Sequence, residues 1–236
     1  MTTSPEPDPD PGTAPTGGAT AGPQPAGDHA MRLRELGAIC ETLTTFDDAD
    51  WDHDTYCDGW RVRDVVGHML VGYTTPMASM IAKVGAQRFN VDRASAVESA
   101  AYGSSHTPAE LLDELRRVQR DDVRKGISKM IPASEGVVDH VIHHIDITRP
   151  LGRPTTTTPA ARLAALDKIV TLGGFVRGKG RAKGLRFVAT DLDWSWGSGP
   201  VVTGPSEDLL LALSGRAVGL DALSGDGLAT LRSRLG

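Results

Sequence analysis

The 236-residue chain has only two cysteines, Cys40 and Cys57. That is too few for a disulfide scaffold, and both are expected to be free thiols of a cytoplasmic chain. No apolar run approaches the roughly 18 residues that a membrane helix needs. The N-terminus has no positively charged start followed by an apolar stretch, so a secretory signal is not expected. Basic residues do not form a stripe interleaved with aromatics, and the net charge is −5; nucleic acid is therefore not an expected partner. HExxH is absent, no Ser/His/Asp constellation stands out, and no phosphate-cradling glycine loop follows a strand. Internal repeats are absent too. What is present is 39% hydrophobic and 23% charged, the composition of a soluble globular protein. The length suits one large domain or two small ones.

Residues 1–28 hold seven of the fifteen prolines, with Gly, Ala and Thr and no apolar periodicity. They read as a disordered tail. Residues 29–153 read as a bundle of about four helices. Leu33, Leu36, Ile39, Cys40 and Leu43 recur at helical spacing from Met31 onward. A second helix starts near Arg61 with the stripe Val62, Val65, Val66, Met69 and Leu70. Thr107-Pro108-Ala109-Glu110 opens a third: a Thr N-cap, Pro at the first helical position and Glu closing a capping box. Val137–Ile147 is amphipathic and ends at Arg149-Pro150-Leu151-Gly152. Residues 154–236 read as a linker, a helix from Pro159 to about Val176, and a small α+β module. Gly178–Gly184 is a basic, glycine-containing loop in this reading. Strands are expected at Leu185–Leu192 and at Val201–Thr203, with Trp194 and Trp196 alternating with Ser195 between them, and helices over Glu207–Leu213 and Leu228–Leu235.

Three of the seven histidines, His140, His143 and His144, fall within five residues of one predicted helix. Residues four apart share a helix face, so Asp139 with His143, extended by Asp146, and His140 with His144 are two candidate ligand pairs. The apolar side of the helix lies away from both, so periodicity does not choose between them, and a solvated face is the alternative. His68 could add a third ligand from another helix. Three protein ligands leave a position open, as catalytic zinc requires. Cys57 reads as a packed loop cysteine rather than a reactive thiol or metal neighbour, and Trp60 as an anchor joining loop to helix.

Cys57-Asp58-Gly59-Trp60-Arg61-Val62-Arg63-Asp64-Val65-Val66-Gly67-His68 resembles the C-x-G-W-x-V-x-D-V-x-x-H signature of the mycothiol-dependent maleylpyruvate isomerase family. Asp139–Ile147 with Arg149-Pro150-Leu151-Gly152 resembles that family's second motif. Val188-Ala189-Thr190-Asp191, Gly204-Pro205 and Ser214-Gly215-Arg216 are similar to its sterol-carrier-like C-terminal module. The resemblance implies an α+β chain: an N-terminal DinB-like four-helix bundle followed by a small sterol-carrier-like domain. It implies a divalent metal, zinc in most members, on His68, Asp139 and His143. Asp139 stands where glutamate is commoner, one methylene shorter. His140 and His144 then support the site or stand aside. Arg216 matches an arginine that the family brings to the active site from its C-terminal domain; a salt bridge between domains is the other reading. The implied activity is mycothiol-dependent: a thiol is activated for attack on a small electrophile, giving cis–trans isomerisation or S-transfer, in an actinobacterial cytoplasm. A non-catalytic metal- or ligand-binding regulatory module on the same fold is the rival reading.

Overall fold

The computed structural model describes residues 25–174 and 176–235. Residues 1–24 of the expected tail lie outside these. Pro25–Asp28 do not: they form the first turn of α1 (Pro25–Leu43), and Asp28 is already buried. A single turn, α2 (Asp48–Trp51), is capped by the Asp47 carboxylate, which accepts from the Asp50 N–H. Helices α3 (Val62–Thr74), α4 (Met77–Ala86), α5 (Val91–Ser105), α6 (Pro108–Arg120) and α7 (Ala133–Thr148) follow. Thr107 caps α6 and Glu110 closes the box, as the sequence predicts.

α1, α3, α6 and α7 make the four-helix bundle. Its core joins Leu36, Ile39 and Leu43 to Val62, Val65, Leu70, Leu111 and Leu115. α5 is a further helix without an apolar stripe. It buries only Ala94, Ser99 and Gly103, and it packs on α3 backbone to backbone. A Cβ on Gly67 would lie 2.6 Å from the Ser99 carbonyl oxygen, and one on Gly103 2.6 Å from that of Arg63. Small residues let the two helices approach this closely, and they leave no period for a sequence reading to find.

α7 inverts the usual division of faces. Its apolar residues Val137, Val138, Val141, Ile142 and Ile145 join the core of the C-terminal part, against Leu166, Ile169, Leu209 and Leu210. Its polar side turns toward α1. His140 and His144 are fully buried there, so a solvated histidine face is overturned. The boundary at residue 153 is thus crossed by one continuous core.

The C-terminal part begins with α8 (Pro159–Ile169), capped by Thr158. This helix stops at Ile169, short of the expected Val176, because Gly173 and Gly174 follow, the latter at φ +57°. The expected basic loop contains a short helix, α9 (Gly178–Ala182). Strands β1 (Arg186–Ala189), β2 (Ser195–Gly197) and β3 (Val201–Gly204) form one sheet in the order β2-β1-β3, β2 antiparallel and β3 parallel to β1. Residues 198–200 carry the chain across the start of β1. Gly199, at φ +118°, crosses so tightly that a Cβ would lie 2.5 Å from the Gly184 carbonyl oxygen. α10 (Ser206–Ser214) and α11 (Leu228–Arg232) complete the module. The fold is α+β. No helix among the described residues is long and apolar enough to cross a membrane.

Candidate functional site

The site is built from one loop and three helices. The loop before α3 is pinned by the Thr55 N–H to the Trp60 carbonyl at 3.0 Å and by a turn in which the Trp60 N–H donates to Cys57 O at 2.9 Å. That turn needs a positive φ at its third residue, and Gly59 supplies it at +75°. The Tyr56 N–H donates to the Asp146 carbonyl at 3.2 Å, which ties the loop to α7. Asp64 holds the start of α3, accepting from the Arg61 N–H at 3.0 Å. One turn further on, α3 presents His68 beneath Trp60, with ring centroids 5.2 Å apart. α7 presents Asp139, His143 and Asp146. Arg216 follows α10. Gly215 ends that helix at φ +104°, and the Arg216 N–H closes back on the Leu211 carbonyl at 2.8 Å.

Ligand atoms of His68, Asp139 and His143 lie within 4.8 Å of one another. The His143 Nε2–Asp139 Oδ1 distance is 3.4 Å. A tetrahedral ion with bonds of about 2.0–2.1 Å holds its ligands roughly 3.3 Å apart, so the shorter aspartate spans the gap without difficulty. Two imidazoles and a carboxylate are a zinc-type donor set. His68 rests against the His143 ring at 5.3 Å, and its Nδ1 is 3.2 Å from the Ser95 hydroxyl of α5. Burial and the neighbouring His143 lower its pKa to about 4, which keeps it in the neutral form that binds metal.

The other face of His143 is also engaged. Its Nδ1 lies 3.0 Å from Asp146 Oδ2, and Asp146 is fully buried. A carboxylate on the far ring nitrogen fixes the imidazole's orientation and raises its basicity. Burial alone would push His143 down, but Asp139 and Asp146 raise it well above its usual value.

Asp146 is in turn gripped by Arg216, whose Nε and Nη2 donate to its two oxygens at 3.0 and 2.6 Å. Cys57 completes the group. Its Sγ is 3.1 Å from Asp146 Oδ2 and 3.2 Å from Arg216 Nη2. Arg216 thus links the C-terminal part to α7 and borders the candidate site. Cys57 is a half-buried free thiol that packs against the bundle core, as expected of a packed loop cysteine, and its Sγ also borders the site. Sequence reasoning treated Asp146 as an extension of one helix face and did not single out Ser95. Its spacing from His143 and its place in the Asp-Ile end of the motif signalled Asp146; nothing in the sequence signalled Ser95.

His140 and His144 do not join. His140 Nε2 meets the Tyr73 hydroxyl at 2.9 Å and its Nδ1 the Arg32 carbonyl at 3.1 Å. His144 Nε2 meets Thr42 Oγ1 at 2.9 Å. Burial lowers both to about 4. They are neutral core histidines.

Two cavities meet at the site. The larger, about 680 Å³, is bordered by Cys57, Asp58, Asp92 and Arg181; the smaller, about 280 Å³, by His68, Asp139 and Val138; His143, Ser214 and Arg216 border both.

No curated protein matches this sequence. Among solved structures, a histidine-to-alanine mutant of a mycothiol-dependent maleylpyruvate isomerase is similar in fold, with a TM-score of 0.56 and 13% identity over 86% of this chain and 93% of that one. A second structure of a mycothiol-dependent maleylpyruvate isomerase gives 0.54 and 14% over the same shares. Residues 32–148, which carry His68, Asp139 and His143, match the family model of the mycothiol maleylpyruvate isomerase N-terminal domain, and the chain belongs to that family.

Proposed function

We propose that this protein is a metal- and mycothiol-dependent enzyme that adds a low-molecular-weight thiol to an electrophilic carbon, as an isomerase or a thiol transferase. His68, Asp139 and His143 would hold one divalent metal, zinc by donor type. Bound there, the ion would lower the pKa of a coordinated thiol, which is otherwise about 8.5, so that thiolate is present at neutral pH. The chain's own residues do the rest. Asp146 keeps the His143 ring turned so that Nε2 faces Asp139 and His68. Trp60 packs its ring against His68 and helps to hold that imidazole in place. Arg216 places a guanidinium at the junction of both cavities, where it opposes the negative charge that develops on the electrophile as the carbon–sulfur bond forms. If that bond breaks again after rotation, the thiol is regenerated and the product is a geometric isomer. If it persists, the product is a thiol conjugate. The protein would act where its thiol is found, in the cytoplasm.

The observation that carries this reading is the convergence of His68, Asp139 and His143 where two cavities meet, with the far nitrogen of His143 held by a buried carboxylate. The test is metal analysis of the purified chain, followed by a screen for mycothiol-dependent consumption of activated alkenes and haloarenes. About one zinc per chain and thiol-dependent turnover are expected. A zinc-loaded protein that consumes no electrophile with any low-molecular-weight thiol would leave a metal-binding regulatory module.

A further inference from the structure

The two cavities differ in chemistry as well as size. The larger has a mixed wall in which polar groups, among them Thr55, Asp58, Asp92, Ser95 and Arg181, alternate with apolar ones such as Trp60 and Val218. That wall suits a bulky, hydrogen-bonding molecule such as the sugar-bearing body of mycothiol. The smaller is walled by Ile131, Val138, Ile142, Leu172 and Val176. Its volume is about 280 Å³, nearly twice the roughly 150 Å³ of a dry cavity known to hold benzene. It therefore takes one substituted ring or a branched chain of similar size. Its charges are also telling. Besides the ligand residues, its titratable border is Glu135 and Arg216. Glu135 sits 3.6 Å from Lys168 Nζ, and Arg216 is committed to Asp146 through both Nε and Nη2. Beyond Arg216 and the proposed metal, which could oppose the charge of one anionic group, a second carboxylate on a ligand here would find no further cation bordering the cavity among the described residues, and Glu135 lies on the same border.

We propose that the electrophile of this protein is a small, mostly apolar molecule carrying at most one negative charge, and that it occupies the 280 Å³ cavity while the thiol's polar body occupies the 680 Å³ one. This rests on the thiol chemistry proposed above for the same site. It sets this chain apart from an enzyme built for a dicarboxylate.

The test uses zinc-loaded, full-length protein and ligand-observed NMR. 2,4-Dinitrotoluene is the neutral, unreactive aromatic probe and maleate the dianionic one. Dinitrotoluene is expected to bind at least about tenfold more tightly than maleate. Leu172→Trp should abolish its binding while mycothiol still binds. Both Leu172 and Val176 are half-buried on the cavity wall, so Val176→Trp serves if the first variant does not fold. Maleate binding as well as dinitrotoluene, or dinitrotoluene binding unchanged in both tryptophan variants, overturns the proposal. Binding needs no turnover. Dinitrotoluene bound as expected in a protein that never consumes thiol would uphold the cavity's preference and sink only the enzyme reading.

Discussion

Arg216→Met is the most revealing single change. It removes a guanidinium that makes two hydrogen bonds, at 3.0 and 2.6 Å, to a carboxylate with no solvent exposure. The methionine fills most of the volume, so the loss is electrostatic. Removing one partner of a buried pair strands the other charge and costs about 3–5 kcal/mol. For a chain of this size that lowers the melting temperature by about 6–20 °C, at about 2–4 °C per kcal/mol. The cost depends on pH with a definite sign. Burial alone would raise the pKa of Asp146, but Arg216 and His143 outweigh it and hold the group below 3.8. A group depressed in the folded state contributes stability fully above its unfolded pKa, and that contribution is lost as pH falls through the folded value. The gap between wild type and Arg216→Met should therefore be widest near pH 7 and should narrow as Asp146 becomes protonated in the variant. Urea unfolding of metal-free protein at pH 7 and pH 4 measures both. Adding Asp146→Asn should restore most of the loss, because the stranded charge is gone. A loss below about 1 kcal/mol at pH 7, the size of a surface pair, would refute the reasoning. So would a gap that does not change with pH.

His143→Ala should abolish zinc binding, whereas His140→Ala should leave it largely intact and weaken the fold through the lost Tyr73 and Arg32 contacts; zinc per chain and melting temperature distinguish the two. Asp146→Ala should reduce zinc affinity by about 10–100-fold, the usual effect of removing a group that orients a ligand histidine, as chelator competition would show. His140 and His144 are lowered to about 4, below the unfolded value of about 6.5. Metal-free protein should therefore lose stability as pH falls from about 6.5 toward 4, and His144→Gln should flatten that profile in urea titrations at stepped pH. Gly103→Ala puts a methyl 2.6 Å from the Arg63 carbonyl oxygen, so α5 must shift. A loss of about 1–3 kcal/mol is expected, with zinc affinity falling as Ser95 leaves His68; unchanged stability would mean that α5 is not clamped on α3.

The helices that show in the sequence are those whose order is written in caps and stripes. Thr107-Pro108 and Glu110 mark the start of α6 at the residue. α4 and α5 each carry only half of such a record: α5 has the cap Asn90, whose side chain accepts from the Arg93 N–H, but no stripe, and α4 has Met77, Met80, Ile81 and Val84 at helical spacing but no side-chain cap. α5 packs through Ala94, Ser99 and Gly103, and α4 buries none of its residues. α5 gives no period, and contacts with α3 and α4 hold it in place. The site is legible to the same degree. His68, Asp139 and His143 are identifiable as a set through the family's motif, and helical spacing alone leaves the His140–His144 pair equally open. What decides between the pairs is which face of α7 turns toward α1. That depends on the C-terminal module taking the helix's apolar face, a packing fact that no local window contains. Cys57 belongs to the same class, because its neighbours Asp146 and Arg216 lie 89 and 159 residues away in sequence.

The tight crossing at Gly199 bears on the order of folding. Parallel strand pairs generally need a crossover of a dozen or more residues, most often through a helix. Here β1 and β3 run parallel with only residues 190–200 between them, because β2 reverses the chain and residues 198–200 step over the head of β1. The whole sheet therefore comes from one short stretch of chain. Its loop-closure cost is small, and contacts of short sequence separation form fast. The sheet can assemble as a local nucleus, whereas Arg216 can meet Asp146 only once α7 has docked on the C-terminal core. The site would then be among the last parts of the molecule to form.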